Sequence, residues 1–275
     1  MDGKDGNPER TAKWLELLCL LRERENAVVL FSGGVDSTLL ATAAFLALGD
    51  RAAALTFRSP LEDPSEAGRA FSAAERIGIR HVILESEDLE VPEIAGNRPN
   101  RCYACRKHRD RLALAWARQQ GFASVVDGLT LSDLEEDRPG RKASDEDGIG
   151  HPLLEAGLGR EEIREISRLL GIDGWDRPGS PCLATRFPFF TSLSEDTLRH
   201  VGRAEGGIAE LGFTLVRVRF LPGLGAVVET DDPSGVAAQR ERVLRILKDE
   251  GFPAAYLDLE GYARGKMGRL GATGR

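Results

Sequence analysis

Between Ser32 and Ser37 the chain reads SGGVDS, a stretch of two glycines, two hydroxyls and one carboxylate. It follows the apolar run NAVVLF from Asn26 and precedes STLLATAAFLALG, whose apolar spacing is helical and which Gly49 ends. A glycine loop joining a strand to a helix offers backbone N–H groups and the positive end of the helix dipole to an anion. Gly33 and Gly34 let the chain pass close to phosphate, and Ser32 and Ser37 add hydroxyl donors. Asp36 suits a magnesium ion, because carboxylate oxygen is a hard-cation ligand. The stretch lacks the lysine of GxxxxGK[ST] and is too short for GxGxxG, so it is neither of those nucleotide loops. Binding of a phosphate chain is the expected chemistry.

The cysteines form a second group. Cys102 and Cys105 make a CxxC in RCYACRKH, followed directly by basic residues and a helix, and Cys182 lies far downstream in GSPCLATR. Cys19 shares an apolar helical stripe with Trp14, Leu15 and Leu18 and is expected to be a buried, inert thiol. A single CxxC is a redox pair, half of a zinc site or an accident, and without a second pair a structural zinc is short of ligands. Three thiolates on one iron–sulfur cluster would leave its fourth iron open to an exogenous sulfide or a substrate atom. The competing reading makes Cys182 a packed core thiol beside its prolines.

A basic strand face is the third group. In TLVRVRF the period of two puts Arg217 and Arg219 on one face, opposite Val216, Val218 and Phe220. Paired guanidinium groups suit a mononucleotide phosphate, and a solvated strand face is the alternative.

The elements that must position these residues alternate. AAALTF from Ala52 to Phe57 reads as a second buried strand. Ser65 to Gly78 reads as a helix with Ala67, Ala70, Phe71, Ala74 and Ile77 on one stripe. HVILES supplies a third strand, a helix runs from about Arg106 to Gln120, and SVVDG ends a fourth strand at Asp127-Gly128. Strands alternating with helices imply a parallel sheet covered on both faces, a doubly wound α/β domain. The charged stretch from Leu134 to Gly150 has no apolar period and reads as a mobile loop, and Arg160 to Gly171 as a short amphipathic helix with Ile163, Ile166 and Leu170 inward. WDRPGSPCLATRFPF then packs prolines around Cys182, and the domain junction is placed here: 12–178 for the first domain and 179–267 for the second. The second domain reads as a helix capped by Ser194, strands TLVRVRF and GAVVET, a helix from about Pro233 to Glu250, and a last strand AAYLDL, a smaller α+β unit.

Composition bounds the partners. With 37 basic and 44 acidic residues the net charge is −7, which argues against a broad nucleic-acid-binding face. No apolar run approaches the eighteen or so residues of a membrane span. The start, MDGKDGNPER, reads as a short disordered lead rather than a signal peptide, and the expected location is cytoplasmic.

The loop SGGVDS after an apolar strand resembles the PP-loop of the N-type ATP pyrophosphatases, whose fold is adenine nucleotide alpha hydrolase-like. That resemblance implies magnesium-ATP, adenylation of a carbonyl or carboxylate oxygen, and pyrophosphate as leaving group. With CYACRK, DRPG, HPLLEAGL, WDRPGSPCLATRFPF, RVRF and YLDLEGY following in order, the chain resembles the LarE family from about Leu15 to Met267. Members are ATP-dependent sulfur transferases acting on pyridinium-3,5-biscarboxylic acid mononucleotide, on the route to the nickel-pincer nucleotide of lactate racemase.

The resemblance implies that Ser32, Gly33, Gly34, Asp36 and Ser37 hold ATP, with Asp36 on magnesium. Thr56, Asp127 and Gly128 are added to the nucleotide site, and Cys182 is the catalytic cysteine. In one form of the family that cysteine gives up its own sulfur; in the other, three cysteines hold a 4Fe-4S cluster that carries hydrosulfide. Cys102 and Cys105 match the cluster form, with sulfide or another sulfur donor as co-substrate. Arg186, Arg217 and Arg219 are expected on the substrate, with Arg186 meeting the mononucleotide phosphate or the AMP. Glu229 is expected to hold a metal or orient an arginine. A homo-oligomer built from trimers is the family expectation. The chain departs from the commoner pattern by reading DGLTLSD from Asp127 to Asp133, by having Val227 where an arginine is usual, and by lacking an arginine near Gly150. A tRNA thiolase and an ammonia-dependent amidating ATP pyrophosphatase are the alternative functions.

Overall fold

The computed structural model describes residues 8–135, 139–177, 179–263 and 266–267. The described residues of 1–59, 65–86 and 102–179 form one compact unit, and those of 60–64, 87–101 and 180–275 form another. The second unit thus draws two short segments from within the first half of the chain, and no shift of composition announces either.

In order, the elements are α1 (Pro8–Arg22), β1 (Ala27–Leu30), α2 (Val35–Leu48), β2 (Ala52–Arg58), α3 (Pro64–Ile77), β3 (Arg80–Glu85), α4 (Pro92–Ala95), α5 (Arg101–Gln119) and β4 (Val125–Val126). There follow α6 (Pro139–Asp147), α7 (Pro152–Glu155), α8 (Arg160–Leu169), α9 (Glu195–Ala209), β5 (Val216–Leu221), β6 (Gly225–Thr230), α10 (Pro233–Ala238), α11 (Arg240–Asp249) and β7 (Ala255–Leu257).

The first unit is built on a parallel sheet of order β3-β2-β1-β4. Its strands are near-continuous apolar runs because both faces are covered. On one face Leu39, Leu40, Ala43 and Ala44 of α2 pack with Leu17 and Leu21 of α1, Ala70 and Ala74 of α3, and Ile163 and Ile166 of α8. On the other, Ala113 and Ala117 of α5 pack on Val28, Leu55, Phe57 and Val125. The doubly wound α/β expectation is met. The direction of strand order reverses between β1 and β4, which opens a crevice beyond their carboxyl ends.

The second unit carries a sheet of order β5-β6-β7, antiparallel between β5 and β6 and parallel between β6 and β7. Leu198, Val201, Ala204 and Ile208 of α9 are buried, as are Val216 and Val218 of β5 and Val243 and Leu247 of α11. Ser194 accepts the Thr197 N–H and so caps α9, as its sequence position predicts.

Four expectations are corrected. Residues 139–147 form helix α6 with Pro139 at its start, a position where a missing N–H costs nothing, and only Ala143 and Ser144 are buried along it. Residues 136–138 of the expected loop lie outside the described residues. Cys19 is exposed: the buried stripe of α1 runs through Leu17, Leu18 and Leu21, and Cys19 falls beside it. Helix α5 begins at Arg101, so the CxxC lies inside its first turns rather than before it. The helix expected from Pro233 to Glu250 is interrupted at Gln239, whose φ of −100° and ψ of 21° leave the helical region. Of the disordered lead, residues 1–7 lie outside the described residues, and from Pro8 the chain is helical.

Gly33 shows how tightly the first unit is assembled around its loop. It has φ of +75°, and a Cβ built there would stand 2.8 Å from the Cα of Ala70 on α3. Gly33→Ala should therefore lose at least about 1–2 kcal/mol of stability from the left-handed backbone alone, measured by urea unfolding; an unchanged midpoint would show that neither the positive φ nor the approach of α3 constrains this position.

Candidate functional site

The SGGVDS loop leaves β1 at the switch point and enters α2 with Gly34 as N-cap and Asp36 as the acidic residue of the first turn. Its hydroxyls are ordered by the loop itself. The Ser37 hydroxyl donates to the Gly34 carbonyl at 3.0 Å and accepts the Ser32 N–H at 3.3 Å. The Ser32 hydroxyl accepts the Gly34 N–H at 3.3 Å. Ser32 and Gly34 are exposed and Asp36 is half-buried, so the loop is open to solvent. Just after the neighbouring strand β4, Gly128 comes so near that a Cβ there would lie 3.2 Å from the Ser37 backbone nitrogen.

Thr56 and Asp127 frame this loop with internal bonds. The buried Thr56 hydroxyl donates to the Phe31 carbonyl at 2.6 Å. It must therefore accept from His81 Nε2, 2.8 Å away, which fixes the tautomer of that ring. His81 stands edge-on to Phe31, and burial holds its pKa below the ordinary value. Asp127, 5% exposed, is gripped on both oxygens. Oδ1 accepts from His151 Nδ1 at 2.6 Å and from the Leu129 N–H at 3.0 Å, and Oδ2 accepts from Arg106 Nη2 at 2.6 Å. Burial works against the Asp127 carboxylate, but His151 and Arg106 outweigh it and hold its pKa below the usual range. Burial likewise opposes charge on His151, yet Asp127 and then Asp145 raise its pKa.

Sequence reasoning missed Arg106, His151 and His81. Their pairings with Asp127 and Thr56 join different segments, and His151 alone had a signal, its place in HPLLEAGL.

The two CxxC thiols project from one face of α5, since residues three apart on a helix are neighbours. Cys102 is exposed and Cys105 half-buried. Arg106, Lys107, His108 and Arg109 follow them, with Lys107 paired to Glu146 at 2.9 Å and Asp147 at 2.7 Å. Their donor chemistry fits two adjacent ligands of a thiolate-bound cluster. Cys182 belongs to the other compact unit, is exposed, and precedes the short 3-10 turn Leu183–Arg186. Among the described residues no disulfide joins the cysteines, and no three His, Cys, Asp or Glu side chains converge on a metal-sized site.

In the second unit the arginines divide by partner. Arg186 is 2% exposed and lies bidentate on Glu205, with both bonds at 2.7 Å. It also donates to the Pro181 carbonyl at 2.9 Å, so it organises the chain around Cys182 from inside rather than presenting its charge outward. Arg219 is buried too, donating to Glu229 at 2.7 Å and to the Thr185 carbonyl at 3.0 Å. Glu229 orients this arginine, although the strand register sets it opposite Arg217. Arg217 is half-buried over the ring of Tyr262, 5.8 Å from its centroid, and donates to its own strand at the Val216 carbonyl. Burial, followed by Arg186, pushes its pKa down. Among the described residues no carboxylate pairs with Arg217, which makes it the guanidinium of this face with capacity for an anion.

A parallel sheet with this loop at its switch point defines a PP-loop-like α/β fold. No protein-family model matches the chain. It is 36% identical over 251 residues to an uncharacterized protein of Synechocystis, covering 90% of this chain and 94% of that one. It is 32% identical over 253 residues to the pyridinium-3,5-bisthiocarboxylic acid mononucleotide synthase of Lactiplantibacillus plantarum, covering 91% and 92%. An uncharacterized protein of Methanocaldococcus jannaschii is 28% identical over 253 residues, with 91% and 97% covered. The chain belongs to the LarE family of enzymes.

His81 and His151, both in the first unit, should titrate on opposite sides of about 6.5, the ordinary value, in a two-dimensional NMR titration. For His151 the folded pKa is raised, so its stabilising contribution is complete below about pH 6.5 and is lost as pH rises through the folded value. For His81 the folded pKa is lowered, so stability is complete above about pH 6.5 and is lost as pH falls toward the folded value. Coincident midpoints would contradict both assignments.

Proposed function

We propose that the chain is a sulfur transferase that uses ATP to adenylate a carboxylate of pyridinium-3,5-biscarboxylic acid mononucleotide and then replaces the activated oxygen with sulfur. The observation that carries this reading is the SGGVDS loop at the β1–β4 switch point, in a chain of the same family as a pyridinium-3,5-bisthiocarboxylic acid mononucleotide synthase.

The residues divide the work by chemistry. Backbone N–H groups around Gly33 and Gly34 and the hydroxyls of Ser32 and Ser37 receive the phosphates, and Asp36 offers an oxygen to magnesium. Thr56, Asp127 and Gly128 form the wall behind them. A substrate carboxylate oxygen attacks the α-phosphorus, a new P–O bond forms, and the bond to pyrophosphate breaks. Donors already in place stabilise the departing charge. Arg217, over Tyr262, takes the mononucleotide phosphate, with Arg219 held by Glu229 as its neighbour and Arg186 fixing the backbone at Cys182.

Sulfur then attacks the activated carbonyl carbon. A C–S bond forms, and the C–O bond breaks with its electron pair leaving on AMP. Cys102, Cys105 and Cys182 would hold a 4Fe-4S cluster, which when bound supplies an iron position able to carry sulfide. In the sacrificial route the Cys182 thiolate is the nucleophile, and its Cβ–S bond is later cleaved with loss of the α-proton, leaving dehydroalanine. The product is a thiocarboxylate in either case.

Anaerobically purified protein should be brown with about four irons per chain, and Cys182→Ser should abolish thiolated product while pyrophosphate release persists. Colourless, iron-free protein in which Cys182 loses one sulfur during a single turnover would replace the cluster by sacrifice. Full activity after replacing Cys102, Cys105 and Cys182 together would overturn sulfur transfer in favour of amidation.

A further inference from the structure

Asp127 is where three segments distant in sequence meet. It directly follows β4, which neighbours β1 in the sheet, and its backbone N–H donates to the Gly150 carbonyl at 3.0 Å. Arg106 reaches it from α5 and also holds Asp110 through Nε at 2.9 Å. His151 reaches it from the start of α7, with Nε2 lying 3.1 Å from Asp145 Oδ1 on α6. The His151 backbone N–H donates to Glu155 at 3.1 Å, and Glu155 faces Arg24 at 3.4 Å. With both of its oxygens engaged, the Asp127 carboxylate is committed to the protein itself.

What it holds is the turn at Gly128. Oδ1 accepts the Leu129 N–H two residues on, a local bond that shapes residues 127–129. Gly128 in the middle lies against the backbone of Asp36 and Ser37, close enough that a Cβ would be 3.2 to 3.4 Å from their atoms. That approach leaves no comfortable room for a side chain, so the turn at Gly128 packs closely on the first turn of α2.

We propose that His151 and Arg106, by gripping both oxygens of Asp127, lock the β4 turn so that Gly128 bears on the first turn of α2, which makes His151 a positioning residue for the SGGVDS loop. Its consequence for nucleotide binding rests on the ATP reading given above. A charged ring suits the role because both nitrogens then donate, one to Asp127 and one to Asp145.

The roles of the two ring nitrogens separate by substitution. His151→Asn retains a donor near the Nδ1 position, His151→Gln retains one near Nε2, and His151→Ala retains neither. Two measurements are made on the full chain: affinity for an ATP analogue with a non-cleavable α–β bridge, by calorimetry, and amide hydrogen exchange over residues 32–38 without nucleotide. Positioning through Nδ1 predicts that Ala and Gln weaken binding by about tenfold or more, the scale of one charge-assisted hydrogen bond, and speed exchange at the loop. Asn should stay within about threefold of the parent on the same scale. Equal behaviour of all three variants, either unchanged or all impaired, would overturn the proposal. If the parent binds no ATP analogue but the exchange pattern holds, the nucleotide reading fails and the positioning role stands.

Discussion

Backbone crowding around one loop sets the terms for the rest of the first unit. Gly33 lies against the backbone of Ala70, and Gly128 lies against the backbone of Ser37. With α3 on one side and the β4 turn on the other, the chain between β1 and α2 has little room to move. A loop that must offer several N–H groups to one anion benefits from being held before the anion arrives, because ordering it at binding would cost conformational entropy. The internal bonds of Thr56 and Asp127 extend that frame outward through His81, His151 and Arg106.

The second unit uses charge differently. Arg186 and Arg219 are buried, and each has its own carboxylate, Glu205 and Glu229. Burying a guanidinium is tolerable only with such a partner and further acceptors, here the carbonyls of Pro181 and Thr185. With those two pairs neutralised, Arg217 is the arginine of this strand that, among the described residues, has no ion-paired carboxylate; it lies over an aromatic ring and is partly desolvated. An anion arriving there meets an arginine whose nearest competitors are already satisfied.

What could be read from sequence follows the reach of each signal. The β1–loop–α2 unit was legible because apolar periodicity changes from strand to helix across adjacent glycines. The Arg217 and Arg219 face was legible because a strand alternates with period two. The Arg106–Asp127–His151 cluster was not, since its members lie on different segments and nothing local pairs them. Helix α6 hid in a charged stretch because it buries only Ala143 and Ser144 and depends on packing rather than pattern. Cys19 was misplaced because Leu17, Leu18 and Leu21 define a narrower stripe than the apolar residues around it suggested. Arg186 was expected on the phosphate or the AMP; its pairing with Glu205 on α9 was not legible because nothing near it in sequence points to that carboxylate.

In the proposed function the SGGVDS loop promotes attack on ATP at the α-phosphorus. Exchange of labelled pyrophosphate into ATP, followed with and without the pyridinium dicarboxylate mononucleotide, tests it directly. Adenylation predicts label entering ATP only when the carboxylate substrate is present, and loss of that exchange in Asp36→Asn. Release of inorganic phosphate and ADP, with no exchange of pyrophosphate, would contradict it.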